Sequence, residues 1–262
     1  MIKELMHDPI FLAGKSESAT KEDLQSNIIM IKIDNLTKYF GENKALDIKQ
    51  LHITEGSIVG LVGNNGAGKT TMLRLVLDLC QASSGVVLSG GKDVSKSEDW
   101  KEYTGSFLDS GYLIDFLTPE EYFNLIAELN HITKEDMQLR LSKFASFMND
   151  EILGKKKLIK NYSAGNKQKI GIVAAMITNP KVLLLDEPFN FLDPSSQMEM
   201  LRLLKEMNSE FGTTMILSSH NIELVSEISS RIILLEKGIV KKDITGSASE
   251  AIEELRAYFL GK

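Results

Sequence analysis

The run Gly63-Asn64-Asn65-Gly66-Ala67-Gly68-Lys69-Thr70-Thr71 constrains this chain more than any other feature. It matches the spacing G-x-x-x-x-G-K-[ST] in full. Before it lies an apolar stretch, residues 57–62, that reads as a buried strand through Ile58, Val59, Leu61 and Val62. After it, residues 69–79 place Leu73, Val76, Leu77 and Leu79 on helical spacing. A strand, a glycine-rich turn and a helix in that order make a cradle for an anion. Glycine lets the backbone curl until several N–H groups face one point, and the helix N-terminus adds a favourable dipole. Lys69 then reaches toward the β- and γ-phosphates of a nucleotide. The Thr70 hydroxyl suits Mg2+, a hard cation that takes oxygen ligands. A glycine-rich turn matching by chance is the alternative, and the strand before and helix after it argue against that.

A second constellation supplies chemistry. Val182-Leu183-Leu184-Leu185 reads as a buried strand ending in Asp186 and Glu187. In a parallel sheet the ligand lies at the carboxyl ends of the strands. Asp186 is placed to hold magnesium through water, and Glu187 to orient or deprotonate an attacking water. Phosphoryl transfer asks for little more than neutralised charge and a positioned nucleophile. In isolation, two solvated acids at a strand end would be the plainer reading.

Around these motifs the chain alternates strand and helix. Helices are expected over residues 119–148, 166–178, 195–211 and 247–260, and further strands over 214–217 and 232–235. Such alternation implies an α/β fold, a parallel sheet covered on both faces. The formal net charge of -6 leaves no basic excess, so nucleic acid is not an expected partner. The longest apolar runs, residues 182–185 and 232–235, are far short of the ~20 residues that span a bilayer. Glu4, Asp8 and Glu17 interrupt any secretory apolar core, so the chain is expected to stay in the cytoplasm. Cys80, the single cysteine, excludes an internal disulfide and reads as a small buried residue. Lys155-Lys156-Lys157 with Lys160 reads as a solvated face, with attraction to anionic lipid or to a partner's acidic loop as the alternative.

Downstream motifs give a family likeness. Tyr162-Ser163-Ala164-Gly165-Asn166, followed by Lys167-Gln168-Lys169, precedes the acidic strand and resembles the LSGGQ signature of the ABC family. Asn190-Phe191-Leu192-Asp193 resembles the loop that follows the catalytic acid in that family, and Ile216-Leu217-Ser218-Ser219-His220 its switch histidine. The resemblance runs from about residue 30 to residue 243. It implies a P-loop NTPase of ABC type, with a mostly parallel core sheet carrying helices on both faces. An antiparallel β subdomain and a helical signature subdomain, about residues 107–178, complete it.

The resemblance also implies site roles. Glu187 and His220 would act on the attacking water. Gly63, Asn64, Asn65, Gly66, Ala67, Gly68, Lys69, Thr70 and Thr71 would hold the phosphates of ATP. Phe40 would stack on adenine, with Tyr39 as the competing ring. Ser163 and Gly165 would meet the γ-phosphate bound to an opposite subunit, and Asp193, which matches the aspartate of the loop that follows the catalytic acid, would join the nucleotide site. Thr70, Asp186 and Asp109 would serve Mg2+. The implied partners are a second ATPase subunit, in a homo- or heterodimer, and separate transmembrane permease subunits docked on the helical stretch. Membrane contact would be indirect, at the inner face of the cell membrane. The pattern around Asn190 and Pro194 is closest to the ABC-2 branch, for which export is the expected direction.

The chain departs from the family pattern in three places. Asp109 stands where a glutamine is usual, with an ordinary loop acid as the alternative reading. Ala164 and Asn166 replace glycine and glutamine in the signature, and Phe191 replaces a small residue. These departures keep open a nucleotide-binding regulator with weak turnover beside the transport motor. A soluble ATPase of the ribosome or DNA is a third reading, opposed by the single cradle and the lack of sustained heptads. Residues 1–28 read as an N-terminal extension or fusion scar, residues 29–245 as the ATPase domain and 246–262 as a C-terminal helix. The stretch over residues 1–25 resembles a fragment of a peptide deformylase, without the metal-binding HExxH helix that enzyme needs.

Overall fold

A computed structural model describes residues 28–260. The deformylase-like stretch lies outside the described residues. Two sheets form the frame. In the first, β1 (Ile29–Phe40) and β2 (Asn43–Thr54) make an antiparallel hairpin, extended by β4 (Ser84–Ser89) and β5 (Lys92–Asp93) in the order β2-β1-β4-β5. In the second, β3 (Ile58–Val62), β6 (Thr104–Phe107), β7 (Val182–Leu185), β8 (Thr214–Ser219), β9 (Arg231–Glu236) and β10 (Ile239–Thr245) run in the order β10-β9-β3-β8-β7-β6. Its neighbours pair parallel except for the β9–β10 hairpin.

The apolar strands split between two cores by the two-residue period of a strand. Ile58, Val62, Leu183, Leu185 and Leu217 face one cluster, which also holds Ile170, Val173, Met200 and Leu204. Val59, Leu61, Val182, Leu184 and Ile216 face the other, which joins Met72, Leu73 and the antiparallel sheet through Ile31, Leu46 and Ile53. Every residue of β3, β7 and β8 is buried, as expected of strands covered on both faces.

The helices are α1 (Lys69–Val76), α2 (Pro119–Leu129), α3 (Lys134–Lys143), α4 (Ala145–Met148), α5 (Ala164–Met176), α6 (Pro194–Phe211), α7 (Ile222–Ile228) and α8 (Ala248–Leu260). Two of the expected helices need correction. The helix expected over 69–79 stops at Val76: Asp78 takes a left-handed φ of 48°, and the Leu79 N–H turns back to the Arg74 carbonyl at 2.8 Å. This six-to-one bond is a standard C-terminal lock, and it leaves Leu79 exposed despite its helical spacing. The stretch expected over 119–148 is three helices. His131 at φ 55° breaks it, Thr133 caps a restart by accepting the Asp136 N–H at 3.1 Å, and a further break falls at Phe144. Apolar periodicity could not show these breaks, because Phe123, Met137 and Phe147 are all buried in one core across them. Cys80 is half-buried rather than buried, and burial pushes its thiol pKa up. Lys155, Lys156, Lys157 and Lys160 are exposed, as expected of a solvated run.

Candidate nucleotide site

The glycine-rich loop joins β3 to α1 and is held from behind by the β9–β10 turn. The Gly238 N–H donates to the Ala67 carbonyl at 2.8 Å, and the Ala67 N–H to the Asn64 carbonyl at 3.0 Å. A Cβ on Gly63 would stand 2.3 Å from the Leu235 carbonyl oxygen, so only glycine lets the loop leave β3 there. Gly68 sits at φ 106°, which a side chain would resist.

Lys69 is 6% exposed. Its ammonium donates to the Gly63 carbonyl at 2.6 Å and pairs with Glu187 Oε1 at 3.1 Å. Thr70 Oγ1 donates to Asp186 Oδ2 at 2.5 Å. The other Asp186 oxygen accepts from the Ser218 hydroxyl, which in turn accepts the Glu187 N–H at 2.9 Å. Glu187 Oε2 meets His220 Nδ1 at 2.7 Å and the His220 N–H at 3.2 Å. Glu187 adopts φ 47°, a left-handed conformation that costs a non-glycine residue about 1–3 kcal/mol. That backbone turn, straight after β7, aims the carboxylate back across the sheet edge between Lys69 and His220.

A cavity of about 560 Å³ opens beside the loop. It is lined by Phe40, Asn64 to Thr71 and Glu187, together with Asn43, Lys44 and Lys237. Phe40 lines it and Tyr39 does not; the Tyr39 ring instead lies 5.5 Å from the Lys44 ammonium. Asn43, Lys44 and Lys237 were not legible as site residues. Each follows a strand end or turn, and only the pairing of β1 with β2 and of β9 with β10 brings it to the cavity. Ser218 could have been found, since it lies in the strand end already singled out for His220.

Four other expected residues sit elsewhere. Asp109 does not line this cavity. Its carboxylate accepts the Gly111 N–H at 2.9 Å and faces a separate groove of about 350 Å³ between β6, α2 and α5. Ser163 and Gly165 lie at the start of α5, where Ser163 Oγ accepts the Asn166 N–H at 3.2 Å; neither lines the nucleotide cavity. Asp193 caps α6 by accepting from the Ser196 N–H at 2.9 Å, the Ser195 hydroxyl at 2.5 Å and the Ser196 hydroxyl at 2.7 Å. The two serine hydroxyls, and then the Ser196 N–H, hold its carboxyl well below the usual carboxylate range.

That depression has a sign and a window. A lowered folded pKa gives stability that is complete above the ordinary aspartate value of about 3.9 and is lost as pH falls below it. The melting-temperature difference between wild type and Asp193→Asn is therefore expected to be constant from neutral pH down to about pH 5, and to shrink in stronger acid. A difference that already changed between neutral pH and pH 5 would contradict this capping geometry.

The ABC transporter family profile matches residues 46–190, more than half of the chain. The chain belongs to the ABC transporter family. It is 32% identical to the methionine import ATP-binding protein MetN of Clostridium acetobutylicum, over 81% of this chain and 68% of that one. It is also 32% identical to the bacitracin transport ATP-binding protein BcrA of Enterococcus faecalis, over 87% of this chain and 73% of that one. Among solved structures it is similar to a dimeric bacterial ABC transporter cassette, MJ0796, with a TM-score of 0.74 and 28% identity over 82% of this chain and 98% of that one. The same cassette is also known as a dimer in a post-hydrolysis state bound to ADP and Pi, with a TM-score of 0.74 and 27% identity to this chain. The chain is an ABC transporter ATP-binding subunit and an ATPase. Among the described residues, no helix is long and apolar enough to cross a membrane.

Proposed function

We propose that this subunit pairs with a second ATPase subunit around two ATP molecules, and that their closing and opening drives transport through separate membrane-spanning permeases. The observation that carries this reading is a separation. The nucleotide cavity is lined by Phe40, the glycine-rich loop and Glu187, while Ser163 lies exposed at the N-terminus of α5 and contributes nothing to it. A helix N-terminus with an exposed hydroxyl beside it suits a phosphate, and a second subunit would bring that phosphate to it. The similar cassette MJ0796, solved as a dimer, supports the pairing.

Within one subunit the chemistry follows from the contacts. The loop's N–H groups and Lys69 take the phosphates, and Lys69 exchanges Glu187 for them. Glu187 then keeps its contact with His220 and faces the water that attacks the γ-phosphate. A general base placed so contributes about 10²–10⁴ in rate, and the His220 imidazole adds a second hydrogen-bonding group at the same point. The Thr70 and Asp186 oxygens, converging 2.5 Å apart beside the loop, are a donor set suited to a hard cation. They would hold Mg2+, which supplies neutralisation of the phosphate charge.

The groove that contains Asp109 is our candidate surface for the permease. Leu79 and Tyr112 line it, and exposed Phe116 and Leu129 lie in the neighbouring loop and helix. An exposed apolar group of this kind marks an interaction surface. We place the subunit in the cytoplasm, touching the membrane only through that partner, and take export as the direction from the Asn190–Pro194 pattern. The test is the solution mass of Glu187→Gln with and without ATP and Mg2+. A shift from monomer to dimer on adding nucleotide is the expected result. A chain that binds ATP and never pairs, even with a candidate partner subunit, would favour a nucleotide-binding regulator, with exposed Phe191 at the closing surface as the obstruction.

A further inference from the structure

Gln168 lies on α5, one turn into the helix that Ser163 caps, and is 6% exposed. A buried amide this close to the signature motif must have its hydrogen bonds met within the protein. Its Nε2 donates to two backbone carbonyls at once, those of Glu187 and Pro188, each at 3.2 Å. The Glu187 carbonyl belongs to the residue whose left-handed backbone aims the carboxylate at Lys69 and His220. On the other side, the Glu187 N–H is held by the Ser218 hydroxyl on β8 at 2.9 Å. The strained residue is thus held by its N–H from the sheet, and its carbonyl accepts both from Gln168 on the signature helix and from the Asn190 N–H of its own loop at 3.1 Å.

The same helix touches the loop after Glu187 a second time. A Cβ on Gly165 would stand 2.6 Å from the Phe191 carbonyl oxygen, and Phe191 itself takes a left-handed φ of 61°. From the far end, Gln197 on α6 donates to the Phe189 carbonyl at 3.2 Å. The segment that follows β7 therefore has its backbone held at Glu187, Pro188 and Phe189, with its only side-chain ties to α5 running through Gln168 among the described hydrogen bonds.

We propose that Gln168 is a positioning residue that ties the signature helix of this subunit to its own Glu187. The proposal rests on Glu187 being the base. Its consequence is a link between two nucleotides: α5 presents Ser163 to the nucleotide of the opposite subunit, while Gln168 on the same helix sets the backbone that aims Glu187 at the nucleotide bound here. A helix of this length moves as a body, so engagement of Ser163 displaces the amide and with it the carbonyl it grips. Both sites then bias one element, which is the physical requirement for coupling. Displacement of a reacting group by about 1 Å costs on the order of 10²-fold in rate, so a small shift suffices as a signal.

The test uses the full chain with Gln168→Leu and Gln168→Met, each checked by thermal melting, and separates ATP binding from turnover. The expected result is an ATP Kd within about twofold of wild type and a kcat lowered about 10-fold or more. In a Glu187→Gln background the same Gln168 substitution is expected to cause no further loss, because it acts through the carboxylate already removed. An unchanged kcat in a folded Gln168 variant would overturn the proposal, and so would an equal fold-loss in both backgrounds. Wild-type turnover in Glu187→Gln alone would instead remove the role of Glu187, an outcome distinct from failure of the link.

Discussion

Glu187→Gln is expected to lower the steady-state ATPase rate by about 10²–10⁴-fold, the range lost when a positioned general base is removed. The same substitution is expected to tighten ATP binding. Glu187 Oε1 stands 3.1 Å from the Lys69 ammonium, so the carboxylate competes with incoming phosphates for that cation. A neutral amide competes far less, because hydrogen bonds between charged groups are roughly twice as strong as neutral ones. Steady-state kinetics beside a direct binding titration measures both effects. A variant that turned over at the wild-type rate would remove Glu187 from the mechanism. One that bound ATP more weakly would show that the Lys69–Glu187 pair prepares the loop rather than blocking it.

Lys69→Ala is expected to weaken ATP binding by about 100-fold or more. Each hydrogen bond to a charged group contributes about 1.5–3 kcal/mol, and tenfold in affinity corresponds to about 1.4 kcal/mol. Removing the hydrogen bonds from the ammonium to two phosphates reaches that figure. A further effect adds to it, since Lys69 also donates to the Gly63 carbonyl at 2.6 Å and so holds the loop in its curled form. Lys69→Arg is not expected to rescue binding, because a planar guanidinium does not reproduce the compact ammonium that meets the Gly63 carbonyl and Glu187. Titration with ATP and with ADP checks the prediction. Equal affinity of Lys69→Ala and wild type would count directly against the cradle as the nucleotide site.

How much of this was legible in the sequence depends on whether the signal was local. The glycine-rich loop was legible because every requirement lies within a few residues: a buried strand, backbone freedom at Gly63 and Gly68, and a helix start at Lys69. The acids at the end of β7 were legible for the same reason. The breaks at His131 and Phe144 were not, since the buried face continues across them and periodicity records burial rather than backbone continuity. Asp109 was named from a family position, which does not say which way a loop carboxylate turns; here it accepts the Gly111 N–H and faces the groove between β6, α2 and α5.

The sequence by itself determined the loop and the acidic strand end, because short-range backbone chemistry constrains each of them locally; the start of α5, expected at residue 166, was moved to Ala164 by the Ser163 cap. The tertiary structure alone decided what meets at the nucleotide. Glu187 reaches Lys69 and His220 because β7, β8 and β3 lie side by side in the sheet, in an order that no local pattern encodes. Lys44 and Lys237 enter the cavity through two hairpins far apart in the chain. Gln168 reaches the Glu187 carbonyl across nineteen residues. Such contacts follow from how whole layers pack, and packing is settled by the two buried cores rather than by any motif.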